Sequence, residues 1–190
     1  MRRLGMFNNV SLDGYFTDAG GDMSFAKPQG PDPEHAEFVS RNAGRGGTLV
    51  FGRVTYQMMA SFWPTEAACQ MMPDVASAMN ENPKIVFSRT LKSAAWNNTT
   101  LLGGDPAAEI ARLKAEDGPD MVVLGSGRIA AQLMQAGLFD QIQLMVIPVV
   151  LGAGRTLFEG VTARPRLALK EARAFQSGNV LLRYGPNSAL

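Results

Sequence analysis

The segment Met121–Arg128, MVVLGSGR, decides the fold of this chain. An apolar run stops at Gly125-Ser126-Gly127, and a helix-like segment, Ile129–Ala136, follows it. A buried strand that ends in glycines and leads into a helix places backbone N–H groups where they can face an anion. The segment therefore predicts a nucleotide-binding junction in an α/β protein.

The string from Gly125 to Ala130 also satisfies the G-x-G-x-x-A pattern of dinucleotide-binding Rossmann folds. In that fold the motif follows the first strand, and an acidic residue stands about 20 positions further on. Here the motif comes late, and the next strand ends in Leu151-Gly152-Ala153-Gly154-Arg155, which contains no acidic residue. The sequence therefore disfavours a Rossmann fold and retains only the anion-binding junction.

The length, charge and cysteine count limit the domain organisation and the partners that this protein can have. Its 190 residues predict a single domain, 1–190, and 18 basic against 17 acidic residues give a net charge of +1. That balance argues against nucleic acid or an anionic membrane as a partner, so we expect a small-molecule substrate. The single cysteine, Cys69, predicts no disulfide and no metal site, and it is compatible with a cytoplasmic location.

Strands and helices alternate along most of the chain, which predicts a mainly parallel sheet. The predicted parallel strands are Leu4–Val10, Thr48–Phe51, Lys84–Phe87, Thr99–Leu102 and the strand that begins at Met121. The predicted helices include Glu34–Asn42, Tyr56–Phe62 and Glu66–Asn80, the last interrupted near Pro73. Gln141–Val150 is a further long strand, and Arg166–Phe175 and Asn179–Tyr184, with Gly178 between them, predict an antiparallel hairpin added to the sheet edge. The long loop Thr17–Pro33 is a candidate lid.

Two further strand ends resemble the first junction in composition. Gly52-Arg53-Val54-Thr55 and Ser88-Arg89-Thr90 each follow a short apolar strand. Together with Gly125–Arg128 they resemble the set of motifs by which the dihydrofolate reductase-like fold holds NADPH.

The sequence most closely resembles the reductase domain of the bifunctional riboflavin biosynthesis proteins, the RibD C-terminal domain family. The resemblance extends from about Leu4 to Tyr184. The matching motifs are Asn9–Gly14 (NVSLDG), Gly52–Pro64 (GRVTYQMMASFWP), Val123–Arg128 and Pro148–Phe158 (PVVLGAGRTLF). The resemblance implies a three-layer α/β fold, with a mainly parallel central sheet, antiparallel C-terminal strands and helices on both faces. It also implies an NADPH-dependent reductase that forms a homodimer.

Several residues at the three junctions are candidates for binding NADPH. Helix N-termini after Gly52 and Gly125 would offer N–H groups to the pyrophosphate, and the hydroxyls of Thr55 and Ser126 could add donors. With the family pattern, Arg53 and Arg89 are favoured as partners for the 2′-phosphate that distinguishes NADPH from NADH. The alternative is that both are solvated surface charges. The complete predicted cofactor set is Gly52, Arg53, Thr55, Ser88, Arg89, Gly125, Ser126, Gly127 and Arg128.

Asp13 and Glu34 are the candidate catalytic carboxylates. The aspartate of the SLDG motif lies in the active site of riboflavin reductases, which makes Asp13 a candidate for substrate binding as well. Glu34 lies roughly where dihydrofolate reductases carry their substrate-binding carboxylate. Both could instead be structural, Asp13 in its own turn and Glu34 at a helix N-terminus. Phe62 and Trp63 are candidates for an aromatic wall beside a planar substrate, with core packing as the alternative.

Two departures from the related families leave the substrate open. Riboflavin reductases are commonly fused to a deaminase domain with zinc-binding His and Cys motifs, and this sequence contains no such motif. Its first strand also differs in sequence from that of dihydrofolate reductases. The favoured function is reduction of a 5-amino-6-(5-phosphoribosylamino)uracil-type pyrimidine. Reduction of a pterin and non-catalytic NADPH binding remain as alternatives.

Overall fold

The structure is a computed structural model that describes residues 1–27 and 30–187. Pro28 and Gln29, within the predicted lid loop, and the last three residues of the predicted 1–190 domain lie outside the described residues. No helix among the described residues is long and apolar enough to cross a membrane.

The described chain contains ten strands and six α-helices. The strands are β1 (Leu4–Ser11), β2 (Thr17–Asp18), β3 (Thr48–Gly52), β4 (Lys84–Phe87), β5 (Thr99–Leu102), β6 (Met121–Leu124), β7 (Gln141–Ile147), β8 (Gly154–Arg155), β9 (Leu167–Ala174) and β10 (Val180–Pro186). The helices are α1 (Pro33–Ala43), α2 (Arg53–Phe62), α3 (Glu66–Met71), α4 (Pro73–Glu81), α5 (Pro106–Ala115) and α6 (Gly127–Gln135). A short 3-10 helix covers Ser24–Ala26.

Eight strands form one sheet in the order β5-β4-β3-β6-β1-β7-β10-β9. The six strands from β5 to β7 are parallel, and β10 and β9 complete the sheet in antiparallel orientation. The predicted sheet, with its antiparallel C-terminal edge, is therefore confirmed. Parallel strands place their carboxyl ends at one edge, so the segments that follow β1, β3, β4 and β6 meet there.

Helices cover both faces of the sheet, as the three-layer fold requires. On one face α5 and α6 pack over a cluster that includes Leu4, Met6, Val123, Ile110 and Leu133. On the other face α2 and α4 pack over β3 and β4, and α1 packs over β7 and β10 through Phe38. We call this second face the α1–α2 face, because these two helices flank the candidate site.

Three local features differ from the sequence prediction. β7 ends at Ile147 instead of Val150 because Pro148 has no N–H to donate to a strand partner. α2 begins at Arg53, directly after β3, without the intervening turn that the sequence suggested. The pairing of β2 with β8 was not predicted, because two-residue strands leave no detectable pattern.

Candidate functional site

Two strand-to-helix junctions lie side by side at the carboxyl edge of the sheet. β3 and β6 are hydrogen-bonded neighbours, and Ser126, after β6, lies against Gly52 at the end of β3. β4 is the other neighbour of β3, with Phe87 opposite Gly52, so Ser88 and Arg89 follow at the same level. The fold thus gathers the three segments that the sequence analysis selected.

The hydroxyl and N–H of Ser126 form three hydrogen bonds, two of which link the two junctions. Its hydroxyl accepts the Gly52 N–H at 2.9 Å and donates to the carbonyl of Leu124 at 3.1 Å. Its own N–H donates to Thr55 Oγ1 at 3.0 Å. Both side chains are buried, Ser126 at 7% and Thr55 at 8% exposure. The two hydroxyls therefore hold the α2 and α6 N-termini together. The Ser126 hydroxyl donates to Leu124, and its predicted hydrogen bond to NADPH stays a prediction.

Gly125 and Gly127 are required by packing at this linkage. Gly125 has a φ of 57°, and a Cβ there would lie 2.8 Å from Thr55 Cγ2. A Cβ on Gly127 would lie 2.8 Å from a ring carbon of Phe16 and 2.9 Å from the carbonyl oxygen of Thr156. The glycines thus bring α6 against α2 and the chain after β1, which positions the helix N-termini. Their predicted contact with NADPH stays a prediction.

Three arginines surround the joined helix N-termini. Arg53, Arg89 and Arg128 are all exposed, and none of them forms an ion pair with another described residue. Arg53 Nη1 donates to Gln57 Oε1 at 3.0 Å, a neutral partner that leaves its charge uncompensated. Unpaired guanidinium groups beside helix N-termini form a surface that suits phosphate.

Ser88 shapes the turn that carries Arg89. Its Oγ accepts the backbone N–H groups of Thr90 at 3.2 Å and Leu91 at 2.9 Å. Ser88 also donates its N–H to the carbonyl of Leu102, the last residue of β5, at 2.9 Å. Ser88 is thus held as a turn residue, while Arg89 projects from the turn.

Gly103 and Gly104 follow β5 beside Ser88 and were not predicted as site residues. A Cβ on Gly103 would lie 3.8 Å from the Ser88 carbonyl oxygen. The next residue, Asp105, caps α5 by accepting the N–H of Ala108 at 2.9 Å. The available signal was a glycine pair directly after an apolar strand, the same signal that marks Gly125.

Asp13 joins the turn after β1 to the loop after β7. Its carboxylate accepts the Ser11 hydroxyl at 2.6 Å and the N–H groups of Gly152 and Leu151 at 2.7 and 3.1 Å. The Ser11 hydrogen bond, supported by the two backbone donors, lowers the pKa of Asp13 below its ordinary value. Asp13 is therefore an ionised acceptor at neutral pH, and Gly152 is a second residue of its site.

Glu34 is directed toward the far edge of the sheet. It forms an ion pair with Arg173 of β9, whose guanidinium also lies 4.9 Å from the centre of the Phe175 ring. β9 is three strands away from β1, at about 4.8 Å per strand. The structure thus places Glu34 away from the junctions and does not bring it together with Asp13.

Trp63 packs inward, against the cluster under α2 and α4. Its indole N–H donates to Met59 Sδ at 3.1 Å, and its carbonyl accepts the Asn80 amide at 3.0 Å. The apolar surface of α2 that remains exposed is instead a stripe formed by Val54, Met58 and Phe62, four residues apart. Val54 is 58% and Phe62 39% exposed.

The α2 stripe begins at Val54, next to Thr55, which bonds to Ser126 after β6. Thr55 and Ser126 place that side of α2 next to the end of β6, while α1 covers β7 and β10. β6 ends at Leu124, opposite Phe7, whereas β1 continues to Ser11 beside β7. Beyond the end of β6 the last residues of β1 have no strand neighbour on that side, and we call this opening, adjacent to the helix N-termini, the cleft. The 3-10 helix lies next to it, with Phe25 and Ala26 in the same cluster as Phe7.

These features define an α/β domain of the dihydrofolate reductase type, with helix N-termini and arginines at the carboxyl edge of its sheet. The chain belongs to the RibD C-terminal domain family, whose model matches residues 2–181.

The individual relatives are distant in sequence, and those of known structure establish the fold. A putative riboflavin biosynthesis protein from Shewanella sp. PV-4 is similar with a TM-score of 0.74 and 22% identity, over 97% of this chain and 99% of that one. Dihydrofolate reductase from Enterococcus faecalis, complexed with NADP(H) and RAB-propyl, is similar with a TM-score of 0.63 and 16% identity, over 98% and 97% of the two chains. The uncharacterized protein YyaP of Bacillus subtilis is 26% identical over 96% of this chain and 94% of its own length.

Proposed function

We propose that this protein is an NADPH-dependent reductase of a small planar heterocycle, with a 5-amino-6-(5-phosphoribosylamino)uracil-type pyrimidine as the best specific substrate. The observation that carries the proposal is the arrangement of two unpaired arginines, Arg53 and Arg89, beside two joined helix N-termini. Membership of the RibD C-terminal domain family and the likeness to an NADP(H)-bound dihydrofolate reductase support it.

The donor set at the carboxyl edge is suited to a dinucleotide that carries an extra phosphate. The first-turn N–H groups of α2 and α6 suit the pyrophosphate, and Arg53 and Arg89 suit the 2′-phosphate. Arg128, on the first turn of α6, adds a third cation near the pyrophosphate. When bound, NADPH would supply the hydride, and the protein would contribute orientation and a dry site.

The substrate side consists of the cleft floor on β1, the Val54–Met58–Phe62 stripe and the Asp13 turn. An apolar wall that lies along one side of a cleft favours a planar ring over a flexible polar molecule. Glu34 is engaged with Arg173, which gives no support to a pterin held by an α1 carboxylate. We infer that Asp13 orders the substrate side by holding the Leu151–Gly152 loop, because an ionised carboxylate cannot donate a proton.

Replacing Arg89 by Ala tests the cofactor assignment. We expect the variant to lose about 1–3 kcal/mol of NADPH binding free energy, the range for one charge-assisted contact, and to bind NADH as the wild type does. Fluorescence titration of both cofactors against wild type and variant measures the effect. The matched control is Arg45→Ala, since Arg45 is an exposed arginine before β3, at the opposite edge of the sheet. Equal losses of binding free energy for NADPH and NADH would contradict the assignment of Arg89 to the 2′-phosphate.

Replacing Asp13 by Asn tests the substrate side. The amide cannot accept from Ser11, Leu151 and Gly152 together, so we expect turnover of the aminouracil substrate to fall about tenfold or more, while NADPH affinity stays within about twofold. Steady-state kinetics and the same cofactor titration separate the two effects. Wild-type turnover in the variant would limit Asp13 to a structural role in its turn.

We also propose a homodimer in the cytoplasm. β9 is an edge strand that exposes Leu167 at 37% and Leu169 at 55%, and pairing or covering would remove this edge. A free, exposed cysteine, Cys69, is compatible with a reducing compartment. Sedimentation as a monomer at micromolar concentration would contradict the dimer.

A further inference from the structure

β1 carries two consecutive asparagines, Asn8 and Asn9, whose side chains lie on opposite faces of the sheet. Asn8 is 2% exposed, and neither polar atom of its amide has a partner among the described residues. Asn9 is half-buried, and within residues 1–27 and 30–187 its amide likewise forms no hydrogen bond. Asparagine is disfavoured in strands, and the buried, unpaired amide of Asn8 adds a desolvation cost. Asn9 is only half-buried and has no protein partner in the part of the chain that the structure describes, so its donors and acceptor are available to a ligand.

Asn9 lies on the floor of the cleft. Its partner in the β1–β7 register is Met145, which packs under α1, and Phe7, two residues earlier on β1, is opposite Leu124. Asn9 therefore projects from the α1–α2 face. It lies just beyond the point where β6 ends, so one side of Asn9 has no neighbouring strand.

The α2 stripe and Asn9 offer complementary surfaces to a ring. Val54, Met58 and Phe62 supply an apolar wall, and Asn9 supplies one carbonyl acceptor and two N–H donors in a single plane. A flat ring against the wall could present its edge to this amide. Such an arrangement satisfies a polar group that the protein's own contacts leave unpaired.

We propose that Asn9 is a specificity-determining residue that pairs with the imide edge of an oxo-pyrimidine ring. An imide presents an N–H donor next to a carbonyl acceptor, which matches the acceptor and donor of one amide. A 2-amino-pyrimidine edge in its protonated form presents two adjacent donors, which suit a carboxylate instead. This inference rests on the proposed reductase function and assigns recognition of the imide edge of its substrate to Asn9.

Calorimetric titration with two small probes tests the proposal. The probes are 5,6-diaminouracil, with an imide edge, and 2,4-diaminopyrimidine, with an amino edge, each added to protein saturated with NADP+. We expect the wild type to bind the uracil about tenfold or more tightly than the diaminopyrimidine. We expect Asn9→Ala to weaken uracil binding about fivefold to tenfold, the equivalent of one neutral hydrogen bond, and Asn9→Asp to shift the preference toward the diaminopyrimidine.

Asn8→Val is the matched control, since Asn8 is the adjacent asparagine on the opposite face. This variant should retain the wild-type preference for the uracil. Wild-type uracil affinity in Asn9→Ala would overturn the proposal, and so would absence of uracil binding by a wild-type protein that binds NADPH. In both of these cases the cofactor half of the proposed function stands, whereas failure to bind NADPH would contradict the proposed function itself.

Discussion

Gly125→Ala is expected to destabilise the domain by about 2–4 kcal/mol and to remove most of its NADPH affinity. The alanine must adopt the φ of 57° that Gly125 has, at a cost of about 1–2 kcal/mol. Its Cβ would also lie 2.8 Å from Thr55 Cγ2, and overpacking of this kind costs about 1–3 kcal/mol. The displaced Thr55 would break the hydrogen bond from Ser126 N–H that joins the two helix N-termini. Urea unfolding and NADPH titration measure the two effects.

A second substitution makes this prediction specific to the contact. Thr55→Ser removes the Cγ2 methyl group and keeps the hydroxyl that accepts the Ser126 N–H. The double variant Gly125→Ala/Thr55→Ser should therefore recover about 1–3 kcal/mol of stability and part of the NADPH affinity, while the backbone cost remains. Gly46→Ala is the control for backbone cost alone, because Gly46 has a φ of 72° and a Cβ added to it would meet nothing within 4 Å. Additive effects of the two substitutions would show that the steric contact does not matter.

The sheet was predictable because its strands are short, apolar and bounded by breakers. The predicted bounds of Lys84–Phe87 and Thr99–Leu102 are confirmed, and Pro73 separates α3 from α4 where the interruption was predicted. Asp105 and Pro106 begin α5 as a cap and first residue. Each of these signals is local, so it can be recognised from the sequence without knowledge of the tertiary structure.

The chemistry of the site was less predictable, because it depends on contacts between residues far apart in sequence. The sequence placed Ser126 and Thr55 at the two junctions, but it did not show that they bond to each other across 71 positions. Glu34 was selected by its place on α1, and its partner Arg173 is 139 positions away. A hydroxyl or carboxylate near a site can bind a ligand or stabilise the protein structure, and its hydrogen-bond partner indicates which of the two it does.

The proposed apolar wall on α2 shows that sequence also fails to identify the exposed side chain within a single helix. Phe62 and Trp63 are adjacent in sequence, and either ring could have faced the cleft. Trp63 packs inward and bonds to Met59, whereas Phe62 is on the exposed stripe with Val54. Periodicity separates two faces of a helix but does not indicate which of them meets the core until the neighbouring elements are known.

Lys84→Met is expected to cost about 2–4 kcal/mol of stability, although the substitution places an apolar residue in a buried position. Lys84 is 1% exposed, and its ammonium donates to the carbonyls of Asn80, Asn82 and Asn97 at 3.0, 2.8 and 3.0 Å. It also lies 4.5 Å from the centre of the Trp96 ring. Methionine fills a similar volume but leaves three carbonyls, two of them at the C-terminus of α4, without this donor. Lys92→Met, at an exposed position, should change stability by less than about 0.5 kcal/mol in the same urea titration.

The difference between wild type and Lys84→Met should also depend on pH. Burial lowers the pKa of Lys84 from 10.5 to about 8. Between these two values the unfolded chain keeps a proton that the folded chain has lost, so the free energy of unfolding rises with pH across this window. The stability difference should therefore be smallest below about pH 8 and should widen toward pH 10.5. If the stability difference stays constant between pH 8 and pH 10.5, the pKa of Lys84 is not lowered on folding. In that case the hydrogen bonds from the ammonium to the three carbonyls offset the cost of its desolvation.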